Sequence, residues 1–290
     1  MIRFATTEDI YVLKEMWDTG FDDPLNYINF IFDRVCKTGD ILVYDMAGSV
    51  AGMLTLLPVK FRYKNEAIEA SYIFGATTER KYRGRGVMTN LLTAAEAEAK
   101  ERGSKLTVLV PGEKALCNFY RKRGYSGDFF VRDIELLPGI LADIPVVDTT
   151  VEFDLMDPAV MYQLREQALA DIAHISWEQE QLHFVLDDCY IYGDNTAVYR
   201  GEHGSSYAVY KVVDRHVWVK ECFGSSDMAT LVLLKEVITA NTARGATVRQ
   251  PITSTLLAHE GVRTMYGMAK PLYIDSYIRD LDGYMNMMLD

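Results

Sequence analysis

The stretch ERKYRGRGVMTNLL, residues 79–92, sets two glycines and the basic side chains Arg80, Lys81, Arg83 and Arg85 directly before an apolar run with helical spacing. Glycine at 84 and 86 lets the backbone bend tightly and bring its N–H groups within reach of an anion. The first N–H groups of the following helix have no partner inside it, and the helix dipole favours negative charge there. A pyrophosphate meets both demands, and Arg83 and Arg85 add charge-assisted hydrogen bonds to phosphate. The competing reading is a plain strand-to-helix turn with solvated arginines. Context separates the two. The β-rich segment AIEASYIFGATT (67–78) leads into the turn and a clean helix leaves it, which is the setting of a phosphate loop. No Gly-Lys-Ser/Thr follows, so the loop is not of Walker type, and Thr89 breaks the G-x-G-x-x-G dinucleotide fingerprint.

The composition is that of a globular chain. Of 290 residues, 49% are hydrophobic and only eight are proline, enough for one large core or two ordinary ones. No apolar run approaches the roughly 18 residues of a membrane span. The opening MIRFATTEDIYVLKEMW interrupts its apolar residues with charge, unlike a secretory signal. Cys36, Cys117, Cys189 and Cys222 are scattered without a C-x-x-C pair, which favours reduced, buried thiols and a cytoplasmic location. The histidines form no metal-ligand spacing, so no metal site is expected. Residues 1–140 hold 19 Lys+Arg and 19 Asp+Glu, so the whole net charge of −11 falls on the remainder, with 11 basic and 22 acidic residues. That balance argues against nucleic acid as a partner and suits a cationic substrate, although ordinary surface charge has the same signature.

Periodicity gives the order β-α-α-β-β-β-α-β-α-β for residues 1–136. Thr6 or Thr7 caps the first helix and Pro24 opens the second. A hairpin turns at Met46–Gly48, and the helix after Gly86 stops at Gly103. LPGILADIPVVDTT (137–150) reads as a linker. Residues 151–290 then repeat the order, with helices in DPAVMYQLREQALA (157–170), SWEQEQLHFVLDD (176–188) and DMATLVLLKEVITANTARG (227–245). TLLAHEGVRTMYGMAKPL (255–272) echoes ALCNFYRKRGYSGDFF (115–130). The expected fold class is a mixed-sheet α/β protein built as two tandem units.

GATTERKYRGRGVMTNLL (75–92) resembles the acetyl-CoA loop of the GCN5-related N-acetyltransferases, whose pattern is Gln/Arg-x-x-Gly-x-Gly/Ala. Lys81 stands where that family prefers Gln or Arg, and Met88 where a small residue is frequent. NFYRKRGY (118–125) resembles the family's second recurrent element, a tyrosine-bearing helix closing on Gly-Tyr/Phe. The resemblance covers residues 1–136. Length and duplication are also similar to the tandem acetyltransferases of the enhanced-intracellular-survival type, whose third, sterol-carrier-like domain is not expected within this chain. The resemblance thus implies two acyl-CoA N-acyltransferase-like units: 1–136 catalytic, 137–150 a linker, 151–290 a copy without the phosphate loop.

Roles follow from that resemblance. Backbone groups of Ala76, Thr77 and Thr78 would bind the pantetheine arm of acetyl-CoA. The amides of Arg83, Gly84, Arg85, Gly86, Val87 and Met88 would hold its pyrophosphate, with Thr89 adding a hydroxyl or simply facing solvent. Asn118 would bond the pantetheine amides or lie exposed. Tyr120 is the candidate acid that protonates the departing thiolate, since phenol and thiol pKa values differ by only about two units; a packing tyrosine is the alternative. For the base, Glu69 and the C-terminal carboxylate of Asp290 are the candidates, against a solvated strand residue and an apolar tail docked for packing. The implied activity is direct acetyl transfer to a primary amine of a small cationic molecule. The alternatives are a non-catalytic acyl-CoA-binding protein and an enzyme acting on peptide or protein amines. In the second copy, ECFGSSDMATLV (221–232) replaces ATTERKYRGRGVM (76–88), and Asp227 would repel phosphate and cap the helix instead. Trp177, Tyr190 and Trp218 are read as core residues or cleft aromatics.

Overall fold

A computed structural model describes residues 1–64, 66–137, 139–145, 151–153, 156–257, 261–273 and 283–289. The first half runs β1 (Ile2–Phe4), α1 (Ile10–Phe21), α2 (Leu25–Phe30), β2 (Ile41–Met46), β3 (Ser49–Tyr63), β4 (Glu66–Thr78), α3 (Val87–Glu101), β5 (Leu106–Leu109), α4 (Leu116–Arg121) and β6 (Ser126–Leu136). The second runs β7 (Val151–Phe153), α5 (Pro158–Ala168), β8 (His174–Ser176), α6 (Leu182–Ile191), β9 (Asn195–Gly201), β10 (Gly204–Val213), β11 (His216–Gly224), α7 (Asp227–Ala240), β12 (Gly245–Pro251) and β13 (Val262–Pro271). The order expected from periodicity is present in residues 1–136; the second half adds the short strand β8 and, among the described residues, has no helix between β12 and β13.

One mixed sheet passes through both halves in the order β1-β2-β3-β4-β5-β13-β6-β12-β11-β10-β9-β7, with β8 on the free edge of β3. The order reads nearly the same from either end. At its centre the halves exchange their closing strands. β13 pairs antiparallel with β5 and with β6, while β6 pairs antiparallel with β12. Each half thus completes the other's sheet through backbone hydrogen bonds. The largest core cluster is also shared, joining Leu13, Trp17 and Tyr72 of the first half to Leu164, Leu186 and Tyr207 of the second.

Helix α3 buries Val87, Leu91, Leu92, Ala95 and Ala99 at helical spacing against Leu54 and Ile73 of the sheet. Helix α7 covers the second half with Ala229, Leu233 and Val237. It ends at Ala240, not Gly245, because the Asn241 side chain donates to the Val237 carbonyl at 2.8 Å and closes it. Gly245 opens β12 instead. The segment 176–188 is helical only from Leu182, since Ser176 belongs to β8. Residues 252–257, expected to echo α4, form turns without a helix. Trp177 is buried, but Trp218 is half exposed on β11. No helix among the described residues is long and apolar enough to cross a membrane.

Candidate active site

The site begins where β4 stops being a regular strand. Thr77 pairs with Met53 and Phe74 with Thr55, so β4 carries one residue more than β3 over that span, a bulge at Gly75–Ala76. Gly75 has φ +60°, and a Cβ on it would lie 2.3 Å from the Trp17 ring, so only glycine fits. The parallel pairing of β4 with β5 ends at Ile73–Leu109. Beyond it, the edge of β4 from Phe74 to Thr78 has no strand beside it on that side. This leaves the backbone of Ala76, Thr77 and Thr78 beside an open cleft.

The turn that follows has the geometry its sequence implies. Gly84 and Gly86 have φ of +76° and +78°, and Gly86 is the residue that starts α3. The first rung of that helix runs from the Asn90 N–H to the Gly86 carbonyl, so the amides of Val87, Met88 and Thr89 have no partner within it. Nothing lies within 4 Å of a Cβ built on Gly84 or Gly86. Backbone conformation, not crowding, demands glycine here.

A cavity of about 670 Å³ lies over this turn. Ala76, Thr77, Thr78, Arg83, Gly84, Gly86, Val87, Met88 and Thr89 line it from one side, and Leu116, Phe119, Tyr120 and Arg123 from the other. Arg83 donates its Nε–H to the Thr78 carbonyl at 3.0 Å and keeps its other N–H groups for a ligand. Thr89 is not a solvent-facing residue, because its hydroxyl accepts from the Arg123 Nε at 3.1 Å. Arg123, which stacks on Phe119 with 3.4 Å to the ring centroid, thus adds a cation opposite the loop. The donor set suits a bulky phosphorylated ligand such as a coenzyme A.

Two expected residues turn away from the cleft. Arg85 does not line it; its guanidinium lies over the Tyr82 ring at 5.9 Å. Asn118 is exposed on the other face of α4, where it accepts from Arg121 at 3.2 Å. The reason is helical phase. Residues 116, 119, 120 and 123 share one face, and residue 118 does not. The same count, applied to the sequence, would have found Arg123.

Tyr120 occupies the junction of two spaces. With Phe21, Ala76 and Leu116 it lines both the large cavity and a second one of about 340 Å³. It is 7% exposed, and its hydroxyl has no hydrogen-bond partner among the described residues. Burial pushes its pKa up to about 12, with the Arg123 charge pulling the other way. The phenol therefore stays protonated. The second cavity is lined by Trp17, Tyr27, Tyr72 and Phe74 with, among the described residues, a single carboxylate, Asp23. Leu289 also lines it, at the end of the apolar tail, residues 283–289, which docks as the sequence suggested. The Trp177 indole donates to the Met287 carbonyl at 3.0 Å and the Tyr72 hydroxyl to the Leu289 carbonyl at 2.7 Å. Asp290 lies outside the described residues.

Glu69 is not brought to this place. It lines neither cavity, whereas Tyr72, Ile73 and Phe74 all line the second. Ile73 belongs to the core under α3, and Tyr72 and Phe74 to the opposite core. Glu69 is exposed and lies 3.6 Å from Lys60 on the neighbouring strand. Trp17, Phe21, Asp23 and Arg123 are the site residues that sequence reading missed.

The site thus combines a bulged strand with an open edge, a turn that leaves the first helix amides free, and a buried phenol where the strand edge opens. Residues 1–127 match the family described as "Acetyltransferase (GNAT) domain". The fold extends the likeness over the second half. A probable N-acyltransferase from Enterococcus faecalis V583 superposes with TM-score 0.77 at 13% identity, over 94% of this chain and 72% of that one. A GCN5-related N-acetyltransferase from Kribbella flavida gives 0.72 at 18%, covering 94% and 72%. Eis1 from Mycobacterium abscessus gives 0.73 at 13%, covering 95% and 74%. No sequence among the curated proteins matches this chain.

Proposed function

We propose that this protein transfers the acetyl group of acetyl-CoA directly to a primary amine of a small cationic molecule. The observation that carries this reading is the position of Tyr120 and Ala76 on the wall common to the two cavities. A carrier lying over Gly84–Thr89 would present its thioester there, with the acceptor entering from the aromatic side. The amine nitrogen attacks the thioester carbon, the C–S bond breaks, and the Tyr120 hydroxyl gives its proton to the leaving thiolate. The proton lost by the nitrogen passes to water. In this reading residues 1–136 are the catalytic unit, 137–150 the connector and 151–290 the companion that walls the acceptor pocket.

Direct transfer is favoured by the state of the thiols. All four cysteines are buried, and burial pushes Cys36 up to about 12 and Cys222 higher still, so neither supplies a thiolate nucleophile. The pocket of about 340 Å³, edged by Leu289 of the tail, suits a small acceptor better than a peptide chain.

The test is thiol release from acetyl-CoA across a broad amine panel, with Tyr120→Phe beside the wild type. The variant is expected to lose about 100-fold in kcat while binding CoA as before. A wild type that acetylates no amine overturns the reading in favour of a binding protein, and a Tyr120→Phe that turns over normally removes Tyr120 as the acid. The acid must be protonated to act, and a raised pKa widens the range in which it is. The pH profile of kcat should therefore show no alkaline fall below about pH 10.

A further inference from the structure

Asp194, in the second half, is a buried carboxylate that the fold leaves half satisfied. It is 5% exposed, and its Oδ2 pairs with the Lys220 ammonium at 2.6 Å, while its Oδ1 has no hydrogen-bond partner among the described residues. Its position makes the charge costly twice over. Gly193, with φ +78°, turns the chain out of α6, and the Asp194 N–H then donates to the Cys189 carbonyl at 2.9 Å. The carboxylate therefore sits at the C-terminal end of a helix, where the dipole disfavours negative charge. It is also out of water, where an unmet acceptor costs free energy. Lys220, the extra residue of a bulge on β11, offsets the charge and leaves one oxygen unmet.

Asp194 lines a cavity of about 560 Å³ at the end of the second half where α6 and α7 stop and β9 begins. This cavity shares no lining residue with the two that meet at Tyr120. Asn195 and Asn241 bring side-chain amides to it. Asn241 uses one N–H on the Val237 carbonyl at 2.8 Å, which leaves its oxygen to accept. The Tyr190 hydroxyl accepts from the Met156 N–H at 3.1 Å and lies 3.2 Å from the Thr196 hydroxyl, so its ring is fixed in the wall. Phe153, 37% exposed on the edge strand β7, offers an aromatic face.

The ligand chemistry follows from what is already paired. Lys220 supplies the counter-charge, so the remaining oxygen calls for a neutral donor and not for a second cation. Carboxylate and amide oxygens beside an open ring suit a molecule with hydroxyls along its edge and C–H bonds on its face. We propose that this cavity is a carbohydrate-binding site, separate from the acetyl-transfer centre. A neutral sugar unit donates hydroxyls to Asp194 Oδ1 and to the Asn241 oxygen, and lays its C–H face on Phe153.

The experiment is a saturation-transfer NMR titration of the full chain with methyl glucosides, mannosides and galactosides of both anomers, and with maltose and cellobiose. At least one should bind with a Kd of about 1 mM or below. Asp194→Ala should weaken that sugar at least about tenfold and Phe153→Ala about fivefold, with CoA affinity and acetyl-transfer turnover unchanged. Asp194→Asn should melt no lower than the wild type, because it removes a charge from a helix C-terminus and leaves Lys220, 39% exposed, to water. Disaccharides that bind more tightly than the glycosides mark a glycan chain as the source, and equal affinities mark a free sugar; either result upholds the site. Binding of none of these sugars, or equal binding by both alanine variants, overturns the proposal. So does n-butylammonium binding that Asp194→Ala abolishes, which would make this a cation site. If Asp194→Ala does not fold, the wild-type titration and Phe153→Ala decide.

Discussion

The turn after β4 and the turn after β11 occupy matching places in the two halves, and they treat the start of a helix in opposite ways. At Gly84–Gly86 two residues with positive φ leave the first amides of α3 open beneath a cavity edged by Arg83 and Arg123. At Ser225–Asp227 the Ser226 side chain accepts from the Ala229 N–H at 3.1 Å, so α7 satisfies its own terminus. Asp227, which the sequence suggested as the cap, sits one residue further on and accepts from the Thr255 hydroxyl at 3.1 Å. The cavity there, about 360 Å³, has no Lys or Arg in its lining. One terminus is kept unsatisfied for a ligand, and the other is spent on the fold.

The contrast extends to where charge is buried. In the second half Glu221, fully buried, accepts from Arg165 at 3.1 Å and from the Tyr207 and Tyr284 hydroxyls at 2.8 Å each. Tyr284 belongs to the tail whose Leu289 lines the aromatic cavity beside Tyr120. The first half therefore carries the open chemistry, and the second the closed ionic brace that holds the tail. Variants should separate accordingly: lesions in the brace reduce stability, and lesions in the turn reduce function in a stable protein.

The largest expected effect is at the brace. Glu221→Gln leaves the buried Arg165 with only Glu166, 3.6 Å away, as a carboxylate partner. It should cost roughly 3 kcal/mol of stability, read as a lower denaturant midpoint. An unchanged midpoint would remove the brace from the comparison. Next comes Gly84→Val with Gly86→Val. Both positions need positive φ, where a β-branched residue is strained by about 1–3 kcal/mol each. CoA affinity should fall at least about 100-fold in a variant that still folds but melts several degrees lower because of that strain. Retained affinity would erase the difference between the two turns and the phosphate reading with it.

How much of this was legible beforehand depended on distance along the chain. The turn was readable because its signal is local: glycine conformation, helix start and basic residues lie within a dozen positions. Tyr120 was readable as a motif residue, but its neighbours Asn118 and Arg123 were mis-sorted because the phase of α4 was not counted. Glu69 lines neither cavity, a placement its own strand does not announce, since strand pattern fixes a residue's face of the sheet and not where a pocket opens. The exchange of β6 and β13 has no local signature, since a strand's sequence does not name its partner. Asp23 accepts from the Tyr192 hydroxyl across most of the chain, and nothing near either residue announces the other.

Arg123 sharpens the comparison at a smaller scale. It is the cation that faces the turn from α4, and no Lys or Arg lines the second half's cavity. Arg123→Met keeps much of the packing on Phe119 and removes the charge. One charge-assisted contact to phosphate is worth about 1.5 kcal/mol, so CoA affinity should drop roughly tenfold. An effect of less than twofold would mean that Arg123 serves only to hold Thr89.

The smallest effect is expected where the second turn satisfies itself. Ser226→Ala removes the acceptor for the Ala229 N–H and also the hydroxyl that donates to the His203 carbonyl at 2.7 Å. Losing such a cap typically costs about 1 kcal/mol, so thermal unfolding should shift by a few degrees. Turnover at saturating acetyl-CoA should not change, because α7 starts on the far side of the exchanged strands from Tyr120. The informative measurement is CoA binding to a variant that combines Ser226→Ala with Asp227→Asn. This frees the α7 terminus and removes its negative charge without adding an arginine or a positive-φ glycine. If the two turns differ mainly in who occupies the amides, this variant gains weak phosphate affinity in the second half. If backbone geometry and arginines are what matter, it gains none, and the latter is the expected result. The free amides of a helix start then become an anion site only when the preceding residues bend as Gly84 and Gly86 do.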